Sequence, residues 1–273
     1  MTTTSPDYDL DVKLAELKIN GYVVFEDLIP VATIDRIHAA FIPLLETVRS
    51  QGEASSTVKI PTRSDERIIV EGRLQNVNRY TLFVPWEPPF ADPEIYEHPV
   101  LLEFLDRYWG TNDYRITCYH SNNPYPGSEY QRWHRDAGIH ALAPHVGLQT
   151  CPHFGVKFPL VDTVEENGSF EVVPGTQYLA DPDLESRYND LLEQGDFPTK
   201  RRLNLKKGSL WVQDPRTLHR GTPNRSTAPR PELVLCVSRP WFTPSYTIEM
   251  TRAEFDKLSE RGKKLLARCR VVE

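Results

Sequence analysis

Apolar residues recur at helical spacing near the start of the chain. Leu10, Leu14 and Leu17 fall within residues 8 to 18, and Asn20-Gly21 closes the pattern, as a helix stop does. Tyr22-Val-Val-Phe25 then reads as a strand. After Pro30 a second face builds from Ile34, Ile37, Phe41, Leu44, Leu45 and Val48. This predicts an amphipathic helix opened by proline, with Pro43 expected to kink or interrupt it. Residues 51 to 67 are polar with few apolar anchors. They are expected to form a surface loop, either a cover over a site or a plain connection. Pro85, Pro88, Pro89 and Pro93 break up the next stretch, and a helix is expected from about Pro99 to Trp109, ending at Gly110.

From Tyr114 the period shortens. Tyr114 to His120, Gly155 to Thr163, Ser169 to Val173, Ser209 to Gln213 and Glu232 to Arg239 read as strands divided by Gly, Pro and Asn turns. Strands at such intervals predict a barrel or jelly roll. Residues 181 to 202 look like a partly helical insertion between two core strands. Thr251 to Arg270 reads as a C-terminal amphipathic helix capped by Thr251. The expected fold is mainly β with flanking helices, in one domain over residues 1–273: a helical part at about 8–50, a core at about 114–242 and a C-terminal helix at about 251–270.

Composition narrows the classes. A chain of 273 residues, 39% hydrophobic and 26% charged, buries one large core without needing a second domain. The net charge of −6 and the lack of a long basic run disfavour a nucleic-acid partner. Cys118, Cys151, Cys236 and Cys269 stand far apart without CxxC spacing, so neither a zinc knuckle nor a disulfide framework is expected. The N-terminal residues show no cationic and apolar leader, and no stretch approaches the ~20 apolar residues of a membrane span. A cytoplasmic protein is expected, and its oligomeric state stays open.

The candidate chemistry lies in His134-Arg135-Asp136, joined by His219. In a strand, residues i and i+2 share a face, so His134 and Asp136 can hold one ion while Arg135 points elsewhere. Two histidines and one carboxylate form the ligand face of a mononuclear non-haem Fe(II) site and leave positions open for chemistry. The bland alternative is a hydrogen-bonded histidine near a surface aspartate. Eleven residues after His219, Arg230 precedes the apolar run Leu233 to Val237, where a guanidinium can clamp a carboxylate through two parallel hydrogen bonds.

The residues Trp133-His134-Arg135-Asp136, Glu165-Glu166-Asn167-Gly168-Ser169, Val173-Pro174-Gly175-Thr176, Lys207-Gly208-Ser209 and His219…Asn224-Arg225-Ser226…Arg230 occur in this order over roughly residues 15 to 242. Together they resemble the phytanoyl-CoA dioxygenase family of Fe(II)/2-oxoglutarate oxygenases. The tail His219-Arg-Gly-Thr-Pro-Asn-Arg-Ser-Thr-Ala-Pro-Arg-Pro231 and the later Trp241-Phe242 are similar to the antibiotic-biosynthesis branch typified by kanamycin B dioxygenase. The resemblance implies a double-stranded β-helix core holding iron through His134, Asp136 and His219, with 2-oxoglutarate held by Arg230. It also implies O2 as oxidant, ascorbate as a candidate reductant, and oxidation of a small molecule with release of succinate and CO2, by default hydroxylation, with desaturation, ring closure, epimerisation and oxidative deamination left open by the same ligand set. Asp136 disfavours halogenation, because halogenases of this superfamily replace that carboxylate with a small residue.

Other residues carry lesser expectations. Ser226 is a candidate to share the cosubstrate carboxylate. His120, Ser121 and Asn123 are candidates to look into the cavity and reach the cosubstrate or substrate, with Ser121 the candidate for cosubstrate binding. Asp214 and Asn224 are candidates to brace the loop that presents His219. His140, His145 and His153 are candidate pocket walls, whereas His38 and His98 are expected on surfaces without partners. Trp133, Trp211 and Trp241 are candidate walls or plain core. Arg79, Arg135, Lys157 and Glu171 put both charges near the expected pocket and leave the substrate class open. Two other readings stand: a zinc-holding cupin-like hydrolase or isomerase, which gives no account of Arg230, and a non-catalytic small-molecule binding protein.

Overall fold

The computed structural model describes residues 7–52, 57–62, 66–67, 69–136, 150–178, 190, 199–242 and 246–273. Helix α1 (Leu10–Asn20) is capped by the Asp9 carboxylate, which accepts from Asp11 N and Val12 N, and it ends on Gly21 at φ 77°. That left-handed conformation favours glycine. Strand β1 (Tyr22–Phe25) follows, then helix α2 (Val31–Gly52). Pro43 does not interrupt α2. The carbonyl it deprives of an i+4 donor belongs to Ala39, which is exposed, so water can serve it.

Strands β2 (Thr57–Pro61), β3 (Ile69–Asn76) and β4 (Arg79–Phe83) form an antiparallel meander. The loop expected over residues 51 to 67 is therefore partly an edge strand, in which Val58 and Ile60 are buried between exposed neighbours. Residues 53–56 and 63–65 of that span lie outside the described residues. Helices α3 (Pro93–Tyr96) and α4 (Pro99–Trp109) come next, and α4 stops at Gly110, φ 65°. His98, expected on a surface without a partner, is instead buried and caps α4, its Nδ1 accepting from Val100 N at 3.2 Å.

The remaining strands are β5 (Arg115–Pro124), β6 (His153–Pro159), β7 (Phe170–Val172), β8 (Arg201–Leu203), β9 (Leu210–Gln213), β10 (His219–Arg220) and β11 (Glu232–Ser238). An eight-stranded sheet runs in the order β1-β9-β6-β11-β5-β4-β3-β2 and faces a three-stranded sheet, β10-β7-β8. The architecture is the mainly β jelly roll that the strand spacing predicts. Most of the expected insertion, 181–189 and 191–198, lies outside the described residues, and residues 201–203 belong to β8.

Register decides which side chains face the site. Residues directly opposite across paired strands share a face. Glu232, Val234 and Cys236 of β11 stand opposite Asn122, His120 and Cys118 of β5, and opposite Pro159, Lys157 and Gly155 of β6. These point toward the small sheet. The alternate set, Leu233, Leu235, Val237, Phe154, Val156 and Phe158, packs outward in one core with Leu10 and Leu17 of α1, Ile34, Ile37 and Phe41 of α2, and Leu101 and Phe104 of α4. Burying ~1.5–3 kcal/mol worth of transfer free energy per large apolar side chain, this layer holds the sheet rigid behind the site.

The expected single C-terminal helix is instead a strand β12 (Glu249–Thr251), two short helices, Arg252–Asp256 and Glu260–Leu265, and a strand β13 (Arg270–Val272) parallel to β12. Thr251 does cap the first helix. Ser259 breaks the run because its hydroxyl accepts from Gly262 N, starting a new helix, and donates to Glu97. No helix among the described residues is long and apolar enough to cross a membrane.

One turn holds the loops around the site together. Gly168 sits at φ 86°, and a Cβ there would meet Thr222 O at 2.8 Å, while Arg225 N donates to Glu166 O at 2.7 Å. Gly168→Ala is expected to destabilise the fold by about 1–3 kcal/mol. A thermal melt unchanged from wild type would contradict this close approach.

Candidate metal centre

His134 and His219 are joined by a reciprocal backbone bridge, each N–H donating to the other's carbonyl at 3.0 Å. Asp136 lies outside any strand, and its N–H donates to Pro215 O at 2.9 Å. The bridge brings the two imidazole centroids to 4.4 Å. Asp136 Oδ1 then lies 3.8 Å from His134 Nε2, and Oδ2 lies 3.5 Å from His219 Nε2. Among the described residues this is the one group of three such side chains whose ligand atoms all lie within 4.8 Å of one another. The i, i+2 spacing thus brings together the residues it nominated, and Arg135 is buried away from the cavity lining.

The tautomers are set by the backbone. His134 Nδ1 lies 2.8 Å from Arg132 O and His219 Nδ1 lies 2.9 Å from Thr217 O. An N–H donated there leaves each Nε2 lone pair free for a cation. Burial, and then the neighbouring His219, push the His134 pKa down to about 4. Burial pushes the Asp136 carboxyl up, but His219, Lys157 and His134 outweigh it and hold it well below the usual carboxylate range. Two imidazoles and a carboxylate are the donor set a divalent metal ion requires.

A pH dependence follows. His134 ordinarily titrates near 6.5 and in the folded chain near 4, so between those values the unfolded state binds the extra proton and stability falls as pH falls. Metal-free protein is expected to lose thermal stability from pH 6.5 to 4, and His134→Gln is expected to flatten that slope. Parallel slopes for the two proteins in thermal melts would contradict the buried, neutral imidazole.

The loop before His219 is braced by Asp214. Its carboxylate receives Arg216 Nε at 3.0 Å and Nη2 at 2.6 Å, and Arg216 N at 2.9 Å. The loop after His219 is braced by Asn224, whose Nδ2 donates to Pro124 O at 2.9 Å and Ala228 O at 2.8 Å. On the outer face of the small sheet, Glu171 is fully buried among Arg202 Nη2 at 2.6 Å, Arg220 Nε at 2.7 Å and Lys200 Nζ at 3.1 Å. Glu171 was a candidate pocket charge. Strand alternation turns it away from the cavity, where it locks β10 to β7 and β8.

A cavity of about 250 Å³ opens on the metal group and is lined by Gln75, Cys118, His120, Asn122, Gln131, His153, Gly155, Lys157, Phe170, Val234, Cys236 and Tyr246. His120 and His153 are thus walls, with His153 Nδ1 held 2.7 Å from Ser238 Oγ. His140 and His145 lie outside the described residues. Asn122, Gln75, Gln131 and Tyr246 are lining residues that sequence reasoning missed. Ser121 and Asn123 occupy the opposite face of β5, where Ser121 Oγ donates to Leu82 O at 3.1 Å and accepts from Asn123 Nδ2 at 2.8 Å. Neither reaches the cavity. Ser226 donates to Asn224 Oδ1 at 2.7 Å and closes its own turn. Trp133 packs with Val173 and Leu218, and Trp241 is exposed.

Arg230 is fully buried against Phe170, its guanidinium carbon 5.4 Å from the ring centroid. Its Nη1 lies 3.9 Å from Glu232 Oε2, and none of its three guanidinium nitrogens makes a hydrogen bond among the described residues. Trp211 Nε1 donates to the other Glu232 oxygen at 3.0 Å. Arg79 is also buried, donating to Thr222 O at 2.8 Å, and burial together with Arg230 lowers its pKa to about 9. None of Arg79, Arg230 and Glu232 lines the cavity, and Arg230 adjoins it through Phe170, which does. Buried donors left unsatisfied are costly unless a ligand pairs with them.

A jelly roll carrying two histidines and one aspartate at the cavity mouth defines a mononuclear non-haem metal protein. The chain matches the family model described as Phytanoyl-CoA dioxygenase (PhyH) over residues 17–231, and it belongs to that family, whose members use Fe(II) and 2-oxoglutarate. Its fold is shared with AviO1 from Streptomyces viridochromogenes Tue57, with TM-score 0.60 and 20% identity over 89% of this chain and 99% of that one. It is shared also with HygX from Streptomyces hygroscopicus, solved with nickel, 2-oxoglutarate and hygromycin B, with TM-score 0.59 and 17% identity over 88% and 90%. A third similar structure is SnoN, described as a non-heme alpha ketoglutarate dependent epimerase from nogalamycin biosynthesis, with TM-score 0.57 and 16% identity over 86% and 83%.

Proposed function

We propose that this protein is an Fe(II)- and 2-oxoglutarate-dependent dioxygenase that oxidises a small molecule of specialised metabolism, with hydroxylation as the default outcome. The observation that carries this reading is the pairing of the His134–Asp136–His219 group with a fully buried Arg230 whose guanidinium makes no hydrogen bond among the described residues and has only Glu232, at 3.9 Å, as a counter-charge. A hydrolase or isomerase needs no such guanidinium. His134, Asp136 and His219 hold the iron, and Arg230 receives the distal carboxylate of 2-oxoglutarate through charge-assisted hydrogen bonds. Bound Fe(II), with 2-oxoglutarate and O2, supplies a two-electron oxidation of the substrate and yields succinate and CO2.

The chain's own residues orient and shield. Reciprocal bonds between His134 and His219 fix the ligand spacing, and Phe170 and Val234 give the cavity an apolar side that limits water. The hygromycin B bound to HygX and the nogalamycin-biosynthesis description of SnoN support a specialised metabolite as substrate, and the epimerase described for SnoN keeps stereochemical inversion as a second outcome. The test is succinate release from Fe(II)-loaded protein with 2-oxoglutarate and O2, screened against a panel of specialised metabolites that includes hygromycin B. Substrate-stimulated succinate is expected. Tight zinc binding without any 2-oxoglutarate consumption would favour the hydrolase reading instead.

A further inference from the structure

Lys157 is 3% exposed and lines the cavity with His134, Asp136 and His219. Its ammonium lies 4.7 Å from the Trp211 ring centroid and 4.9 Å from that of Phe170. It donates one hydrogen bond, to Gln213 Oε1, and makes no other among the described residues. Among the described residues it makes no ion pair. Aromatic faces attract a cation but do not neutralise it; the carboxylate whose field reaches Lys157, Asp136, makes no direct ion pair with it, and a buried charge without a contacting counter-ion is costly.

The surroundings are built around this side chain. A Cβ at Gly155 would stand 3.1 Å from Lys157 Cε, so glycine there makes room for the lysine stem. Gln213, opposite Gly155 in register and 1% exposed, has its Oε1 taken by Lys157 and its Nε2 without a partner. An ammonium and an amide thus hold spare donors side by side. Phe170 is flanked by Lys157 at 4.9 Å and Arg230 at 5.4 Å, two separate cations against one ring.

We propose that Lys157, with Gln213, forms a second carboxylate-binding subsite, which takes the metal-side carboxylate of a 2-oxo acid while Arg230 takes the distal one. Each end of the dianion then meets its own cation. The inference rests on the 2-oxoglutarate reading above and deepens it.

The test is anaerobic calorimetry on Fe(II)-loaded protein with two ligands: 2-oxoglutarate, and 2-oxobutyrate, which has the 2-oxo acid end and no distal carboxylate. Lys157→Met is expected to weaken both ligands by about tenfold or more, as loss of a charge-assisted hydrogen bond does. Arg230→Met is expected to weaken 2-oxoglutarate alone. Should Lys157→Met fail to fold, Lys157→Gln keeps a donor toward Gln213 without the charge and carries the same expectation. Lys157 variants that bind both ligands within twofold of wild type overturn the subsite and leave the Arg230 assignment standing. A wild-type protein that binds neither ligand overturns the cosubstrate reading and this inference together.

Discussion

His134→Ala abolishes turnover and weakens iron binding by more than the ~10- to 100-fold that losing a group which only orients a ligand costs. The expectation rests on geometry that the substitution leaves in place. The bridge between residues 134 and 219 runs through backbone N–H and C=O groups, which alanine retains, so the loss is confined to one donor atom. Asp136 would then face His219 alone, at 3.5 Å, and two ligands hold a labile Fe(II) poorly. Asp136→Gly is expected to behave alike. Metal content, iron affinity and thermal stability measured on each variant separate ligand loss from unfolding. Retained iron affinity and turnover in Asp136→Gly would sink the three-ligand site.

Arg230→Ala raises the 2-oxoglutarate requirement steeply. Truncating one partner of a buried charge pair costs about 2–5 kcal/mol, or roughly 30- to several-thousand-fold in affinity. KM for 2-oxoglutarate carries most of the effect. The variant also leaves the buried Glu232 without the guanidinium 3.9 Å away, so some thermal stability is lost. Adding Glu232→Gln removes that stray charge and is expected to recover part of the stability but not the affinity. An Arg230→Ala enzyme with unchanged 2-oxoglutarate dependence would contradict the clamp.

What the sequence made legible was local. Helix α1 and helix α4 were readable from their stops, Asn20-Gly21 and Gly110, because a left-handed cap is written in one residue. His134 and Asp136 were readable because i, i+2 spacing needs no knowledge of partner strands. Features set by long-range register were not legible. Ser121 and His120 are neighbours, and only the pairing of β5 with β4 and β11 decides that His120 faces the cavity while Ser121 bonds to Leu82. The same parity turned Glu171 outward into its cluster of cations. Strand β2 alternates buried and exposed residues, but its outward Thr57, Lys59 and Pro61, set in a polar run, disguised it as loop. The C-terminal run kept helical spacing across Ser259, and the contact to Glu97 that splits it is 162 positions away in the chain.

The most direct measurement is anaerobic titration of the metal-free protein with Fe(II) and then 2-oxoglutarate, following the weak visible charge-transfer absorption of the iron–2-oxo acid complex. The account predicts that the band appears at one equivalent in wild type, vanishes in His134→Ala, and requires much higher 2-oxoglutarate in Arg230→Ala. A wild-type protein that gives no band while binding zinc tightly would contradict it.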